Sequence, residues 1–517
     1  MHVRILLLVL VFLRTCLASS QSTQSDSYRF QLGANKAPKR EFRAFWIVTL
    51  DNKDFPSRPG LSTEEQKAEL IEILDYHQSR GMNAVIFQVR PSADALYASK
   101  MEPWSEWLSG KQGVSPQPFY DPLEFMIEQC HKRNMELHAW FNPFRAVYSI
   151  EQSDLAYNHI SKQKPHWFLT YGKQQQFNPG IPEVRQYIAQ VIMDVVKRYD
   201  IDGVQFDDYF YPYKIYGQEF PDEPTYRMYA GGSRDKSDWR RDNINQLIRM
   251  IHENIKKEKP HVKFGISPLG VWRNKSEDPR GSATSVGQSS YDYLAADVLK
   301  WLQEGWIDYI APQLYWSIGH ERADYLTLAD WWANNSYGRH LYIGQATYKI
   351  GADNDRKWFD ANQLPNQLRW NRSKPAILGS IFFRAKNFMD NEMAISDTLG
   401  QYFYNYPALI PTMPWIDHQA PAPPSGLKMV STKKRIVLRW ENPDETLARN
   451  EVKYYVVYRF KLDEKTDLNN PRNIVSIQQE KLYFEQRDTQ LQYIYAVTAV
   501  DRLHNESEPV FIRHKEL

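Results

Sequence analysis

The chain has 517 residues, more than one ordinary domain needs and enough for a barrel of about 250 residues plus a second module. Hydrophobic residues make up 42% and charged residues 24%, which excludes an intrinsically disordered chain. A net charge of +2 gives no basis for binding nucleic acid or a membrane surface.

The first segment, MHVRILLLVLVFLRTCLASSQ, places His2 and Arg4 before an apolar run from Ile5 to Leu13, followed by small residues at Ala18, Ser19 and Ser20. That order is an n-region, an h-region and a cleavage-type site. Residues 1–20 are therefore expected to be a secretory signal peptide, the run being too short to span a bilayer. The expected location is secreted, periplasmic or outer-membrane-associated. Cys16 is a candidate lipidation site and the one expected route to membrane anchoring, although Thr15 departs from the usual Gly or Ala before it. With Cys16 in the signal, Cys130 is left as a core thiol, so an apolar core and not disulfides must hold the fold. Residues 21–40, rich in Ser and Gln, read as a linker.

From residue 41 short apolar runs alternate with amphipathic stretches. FRAFWIVT, AVIFQVR, ELHAWFNP, GVQFDDY, KFGISP, DYIAPQLYW, LYIGQAT and GSIFFRA are eight candidate strands. Between them lie helical patterns. Leu70, Ile73, Leu74 and His77 recur at helical spacing, and Gly81 follows as a stop. Continuous apolar strands alternating with helices predict a parallel sheet, and eight such units predict a (β/α)8 TIM barrel over 41–410. No GxGxxG or P-loop follows an early strand, so no nucleotide cofactor is expected.

The proline-rich segment at 411–420 reads as a second linker. After it RIVLRWENP, KYYVVYRF and YIYAVTAV alternate with the period of half-buried strands. Trp440 and the Tyr493-Ile-Tyr495 strand resemble the core of a fibronectin type III domain, giving a small all-β sandwich over 421–517. A separate sandwich on a proline-rich linker is expected to be separable from the barrel.

In such a barrel, functional side chains stand at the C-terminal strand ends. Those ends carry Arg90, Asn142, Asp207, Asp208, Tyr209, Tyr211, Trp272, Gln313, Tyr315 and Trp316, and the opposite ends show no comparable set. The sharpest feature is IDGVQFDDYFYP, where two carboxylates follow apolar Val204 and Phe206. Two close carboxylates push their pKa values apart, so one can serve as acid while the other stays charged. That is the division of labour glycosidic cleavage needs. The competing structural reading has one aspartate capping the next segment or pairing with Arg90. Asp51, Asp94 and Glu102 are candidates for a separate second carboxylate. The histidines lack the HExxH spacing of a metal site, and no GxSxG elbow marks a serine nucleophile, so neither a metal nor another cofactor is expected.

The runs FRAFWIVT, NAVIFQVRPSADALYASKMEPWSEWLSG, ELHAWFNPFRA, DGVQFDDYFYPY, FGISPLGVWRN and DYIAPQLYWSIG resemble the glycosyl-hydrolase-like 10 family over about residues 40–400. The resemblance implies a secreted or lipoprotein TIM-barrel glycoside hydrolase. Its catalytic centre would be Asp207 and Asp208, with Arg90, Asn142, Gln313 and Tyr315 contacting substrate. Some such proteins resemble hydrolases of peptidoglycan strands that have lost their stem peptides. The expected partner is therefore a glycan, in the first instance an N-acetylated, peptide-free strand. A hydrolase of dietary or host polysaccharide and a non-catalytic carbohydrate-binding protein are the alternatives. Two mechanisms stand open: a second carboxylate from another strand, or attack by the substrate's own acetamide. Adjacent acids on one strand favour the latter.

Overall fold

The computed structural model describes residues 36–232, 235–443, 451–488 and 492–513. The expected signal peptide, Cys16 and the linker up to residue 35 lie outside the described residues. The barrel region contributes β1 (Phe42–Ile47), β2 (Ala84–Arg90), β3 (Glu136–Phe141), β4 (Arg145–Val147), β5 (Phe168–Tyr171), β6 (Gln174–Phe177), β7 (Gly203–Phe206), β8 (Lys263–Ile266), β9 (Tyr309–Ile310), β10 (His340–Ala346) and β11 (Ile377–Phe383). Eight of these close in the order β1-β11-β10-β9-β8-β7-β3-β2, each pair parallel. They are the eight runs read from the sequence. Every residue of β2 is buried, as a strand covered by side chains inside and helices outside must be. The helix Thr63–Ser79 starts where Ser62 and Glu65 form a reciprocal capping box. The sequence reading missed one excursion: β4, β6 and β5 form an antiparallel sheet between the third and fourth barrel strands.

Rings fill the lower barrel. Phe42 stacks on Tyr342 with centroids 4.1 Å apart, and His138 and Tyr309 lie 5.4 Å apart beside them. Gly265 makes this layer possible, because a Cβ there would come within 2.0 Å of the Tyr309 ring.

The C-terminal region comprises β12 (Ser425–Ser431), β13 (Arg435–Glu441), β14 (Val452–Lys461), β15 (Ile474–Gln478), β16 (Leu482–Gln486), β17 (Tyr493–Asp501) and β18 (Val510–Arg513). They make two antiparallel sheets, β12-β13-β16 and β15-β14-β17-β18. Ile436, Leu438 and Trp440 alternate inward from β13 onto Tyr455, Val457, Tyr495 and Val497, so the sheets pack face to face over one core.

Two expectations need correcting here. The N-terminal strand ends are not bare, and the sandwich is not a loosely tethered module. Glu136, the first residue of β3, accepts bonds of 2.6 Å at each oxygen from the Lys263 ammonium at the start of β8. It also contacts His504 of the sandwich at 2.6 Å. Asp202, just before β7, accepts from the Leu137 N–H at 2.9 Å and pairs with Lys453 of β14. Leu409, at the end of the barrel region, packs into a sandwich core cluster with Tyr454 and Val456. The sandwich therefore forms the barrel's floor. Composition and linker texture gave no sign of this, because the partners are hundreds of residues apart.

Candidate active site

Asp207 and Asp208 follow β7 directly and are 3% and 2% exposed. Neighbouring residues at a strand end point to opposite sides. Here that sends the two carboxylates towards the two strands flanking β7. Asp207 leans towards β3, where Trp140 Nε1 donates to it at 3.3 Å and Asn142 Nδ2 at 3.1 Å. The Asn142 amide is held in that orientation because its Oδ1 accepts the Arg145 backbone N–H at 2.8 Å. Asp208 leans towards the β8 and β9 exits. Gln313 Nε2 donates to Asp208 Oδ1 at 3.1 Å and to the Ser267 carbonyl at 2.9 Å. Tyr213 Oη donates to the other oxygen, Asp208 Oδ2.

Neither aspartate forms an ion pair within 4 Å among the described residues; their hydrogen-bond donors are neutral. Burial therefore dominates their chemistry. Burial pushes Asp207 up to about 7; the Arg145 charge opposes the rise and the Asp208 carboxylate adds to it. Burial also raises Asp208, against the bonds from Tyr213 and Gln313. Arg145 is itself buried, with its Nε on the Pro91 carbonyl at 3.0 Å and its guanidinium 5.3 Å over the Tyr209 ring.

Beside Asp208 opens a cavity of about 810 Å³, walled by Tyr213, Leu269, Val286, Gln288, Trp316 and Arg322. Apolar and aromatic groups share this wall with the charged Glu321, Arg322, Asp355 and Lys357, a mixture that can hold both the faces and the hydroxyls of sugar rings. Tyr315 and Tyr209 are half-buried at the same mouth. Tyr315 stacks against Phe383 at 6.0 Å and meets Tyr348 edge-on at 5.8 Å.

The structure thus brings together Asp207, Asp208, Asn142, Tyr209, Gln313, Tyr315 and Trp316 from the expected set. It does not bring three others to the cleft. Arg90 is 1% exposed; its guanidinium grips Glu102 bidentately and the Asn142 carbonyl at 2.6 Å, so it braces the β3 exit. Arg90 is equally not the partner of either aspartate. Tyr211 packs edge-on to Phe220 under the Arg240 guanidinium. Trp272 is 1% exposed, stacked on Trp331. Arg90 is the last residue of β2, while Tyr211 and Trp272 lie on the loops after β7 and β8, and all three side chains turn into packing.

The three further carboxylates do not join the pair. Glu102 is committed to Arg90, Asp51 is exposed beside Lys53, and Asp94 accepts from Gln112 and the Ser92 N–H. Tyr213 was missed by the sequence reading; its signal was its place on the tyrosine-rich run that follows the aspartates. Among the described residues no group of three or more His, Cys, Asp or Glu could hold a metal ion.

The chain is similar to proteins of one named family. The family model for Glycosyl hydrolase-like 10 matches residues 41–360. The chain is 47% identical over 480 residues to "Glycosyl hydrolase YngK" of Bacillus subtilis, covering 92% of this chain and 93% of that protein. It is 40% identical over 405 residues to "Glycosyl hydrolase DigH" of Escherichia coli K12, covering 73% and 91%. Among solved structures, the glycoside hydrolase domain of PgaB (BpsB) from Bordetella bronchiseptica superposes with a TM-score of 0.44 at 13% identity, covering 70% of this chain and 98% of that one.

Proposed function

Because the chain belongs to the glycosyl hydrolase-like 10 family, we propose that it is an exported glycoside hydrolase that cleaves N-acetylated glycans, with peptide-free peptidoglycan strands as its best substrate. The observation that carries this reading is the diverging aspartate pair. One carboxylate is raised to about 7 and can hold a proton at neutral pH. The other lies against two neutral donors at the edge of a sugar-sized groove.

In this reading Asp207 is the general acid. It protonates the glycosidic oxygen as the C–O bond breaks. Asp208, ionised, orients the substrate's acetamide, whose carbonyl oxygen bonds to the anomeric carbon. The Asp207 carboxylate left behind then takes a proton from the water that opens this cyclic intermediate and restores the acetamide. Substrate assistance is favoured because the two acids are adjacent on one strand end, while Glu102 is committed to Arg90 and Asp51 is exposed beside Lys53. Asn142 and Trp140 aim Asp207, while Trp316 and Tyr213 in the groove wall offer surface to the rings. Export through residues 1–20, lipidation of Cys16 and a fibronectin type III-like role for the sandwich belong to the same proposal.

The test is release of reducing ends from peptide-free strands, intact sacculi, chitin oligosaccharides and plain β-glucans under one set of conditions. Activity should be highest on peptide-free strands. Activity confined to glucans without N-acetyl groups would overturn both the substrate and the acetamide mechanism.

A further inference from the structure

Resting on the glycosidase reading, we propose that Tyr213 is a positioning residue: its phenol keeps Asp208 as the ionised member of the pair and so leaves the proton on Asp207, while its ring links that bond to the groove where the strand lies. The groups facing Asp208 make the assignment specific. They are Asp207 beside it, Tyr209 and Tyr213 on the loop after β7, Gln313 and Tyr315 after β9, and Arg145 of β4. Arg145 acts on both aspartates, more on Asp207 than on Asp208, so it is not what singles out Asp208 as the ionised member. Tyr209 and Tyr315 make no hydrogen bond to Asp208 among the described residues. Gln313 divides its amide between Asp208 and the Ser267 carbonyl. Tyr213 is the hydroxyl donor that Asp208 has and Asp207 lacks; Asp207 receives only N–H groups at 3.1 Å or more.

A donor to the charged form favours that form. Burial and the adjacent Asp208 charge hold the Tyr213 hydroxyl far above the usual phenol range, so it stays a donor throughout the working pH range. The ring is 39% exposed and forms part of the groove wall. A sugar lying there would cover it, exclude water and strengthen the bond to Asp208. Substrate binding and separation of the pair's charges would then be one event.

Tyr213→Phe keeps the ring and removes the hydroxyl. Turnover of peptide-free strands should fall by about ten- to a hundredfold, the worth of a hydrogen bond to a charged group, mostly in kcat. Because Asp208 must be ionised, the acidic limb of kcat/KM should move up by about one pH unit. In an Asp208→Asn background the same change should add little. An unmoved acidic limb, or losses that multiply in the double variant, would overturn the proposal. A 13C-carboxyl NMR titration of Asp208 needs no turnover and separates the two layers. A midpoint that does not rise in Tyr213→Phe refutes the role of Tyr213. A midpoint that rises in a protein inactive on every glycan refutes the glycosidase reading alone.

Discussion

The two ends of this barrel both bury carboxylates and treat them in opposite ways. At the floor, burial alone would raise Glu136, but the Lys263 ammonium holds it well below the usual range, with His504 and His138 bonded to it. Asp202 is likewise driven down, by Lys453. At the mouth, Asp207 and Asp208 meet only neutral donors and a distant Arg145, and both are raised. A buried acid with a cation against it is a strut; a buried acid without one keeps its protonation state open to its remaining neighbours. The difference separates stability from chemistry within one fold, and substitutions at each end should show it.

The largest effect is expected at the mouth. Asp207→Asn should lower kcat by about 10²- to 10⁴-fold, the usual loss for a general acid, read as reducing ends released. Stability should move the other way. A raised folded pKa contributes stability below the unfolded value, and that stability is lost as pH rises towards about 7. Asp207→Asn should therefore raise Tm, and more at pH 8 than at pH 5.

The floor should behave in reverse. Lys263→Met leaves the buried Glu136 with only the more distant Lys453 ammonium at 3.9 Å and should cost about 3–5 kcal/mol in thermal or denaturant unfolding. Glu136 and Asp202 have lowered folded values, so their stability is present at neutral pH and is lost as pH falls below the ordinary carboxylate range. A loss in Lys263→Met of under 1 kcal/mol would erase the distinction between the ends.

The smallest effect sharpens the comparison within the floor itself. Arg502 pairs with Asp200 at 2.9 Å and with Glu451 at 2.7 Å, where the two acids are 49% and 66% exposed. Arg502→Ala should cost no more than about 1 kcal/mol, since solvent screens such pairs. A loss matching Lys263→Met would mean that contact across the interface, not burial of charge, sets the stability.

Much of the barrel was legible because its strands are apolar runs, and a run needs no partner to be seen. The exception is DYIAPQLYW, which reads as a long strand, yet β9 is only Tyr309–Ile310, because Pro312 and the turn to Gln313 end the ladder. The Gln-rich β6 carried no apolar run, and the β4–β6 excursion went unseen. At the site, the aspartates stood out as charge at the end of an apolar strand. Tyr213 did not, since its role depends on a loop folding back by a turn that no periodicity reports. The floor was hidden for a different reason. Glu136, Lys263, Asp202 and His504 are single polar residues scattered along the chain, and only closure of the barrel onto the sandwich makes them one cluster. Arg90 shows the converse: a charge at a strand end looked like a ligand contact and proved to be an internal brace.

The central claim is that Asp207 works as a protonated acid. The most direct test is the pH dependence of kcat/KM for the unaltered protein on peptide-free glycan strands. The rate should fall as pH rises through about 7, where Asp207 loses its proton. A profile that stays flat to pH 9 would contradict it.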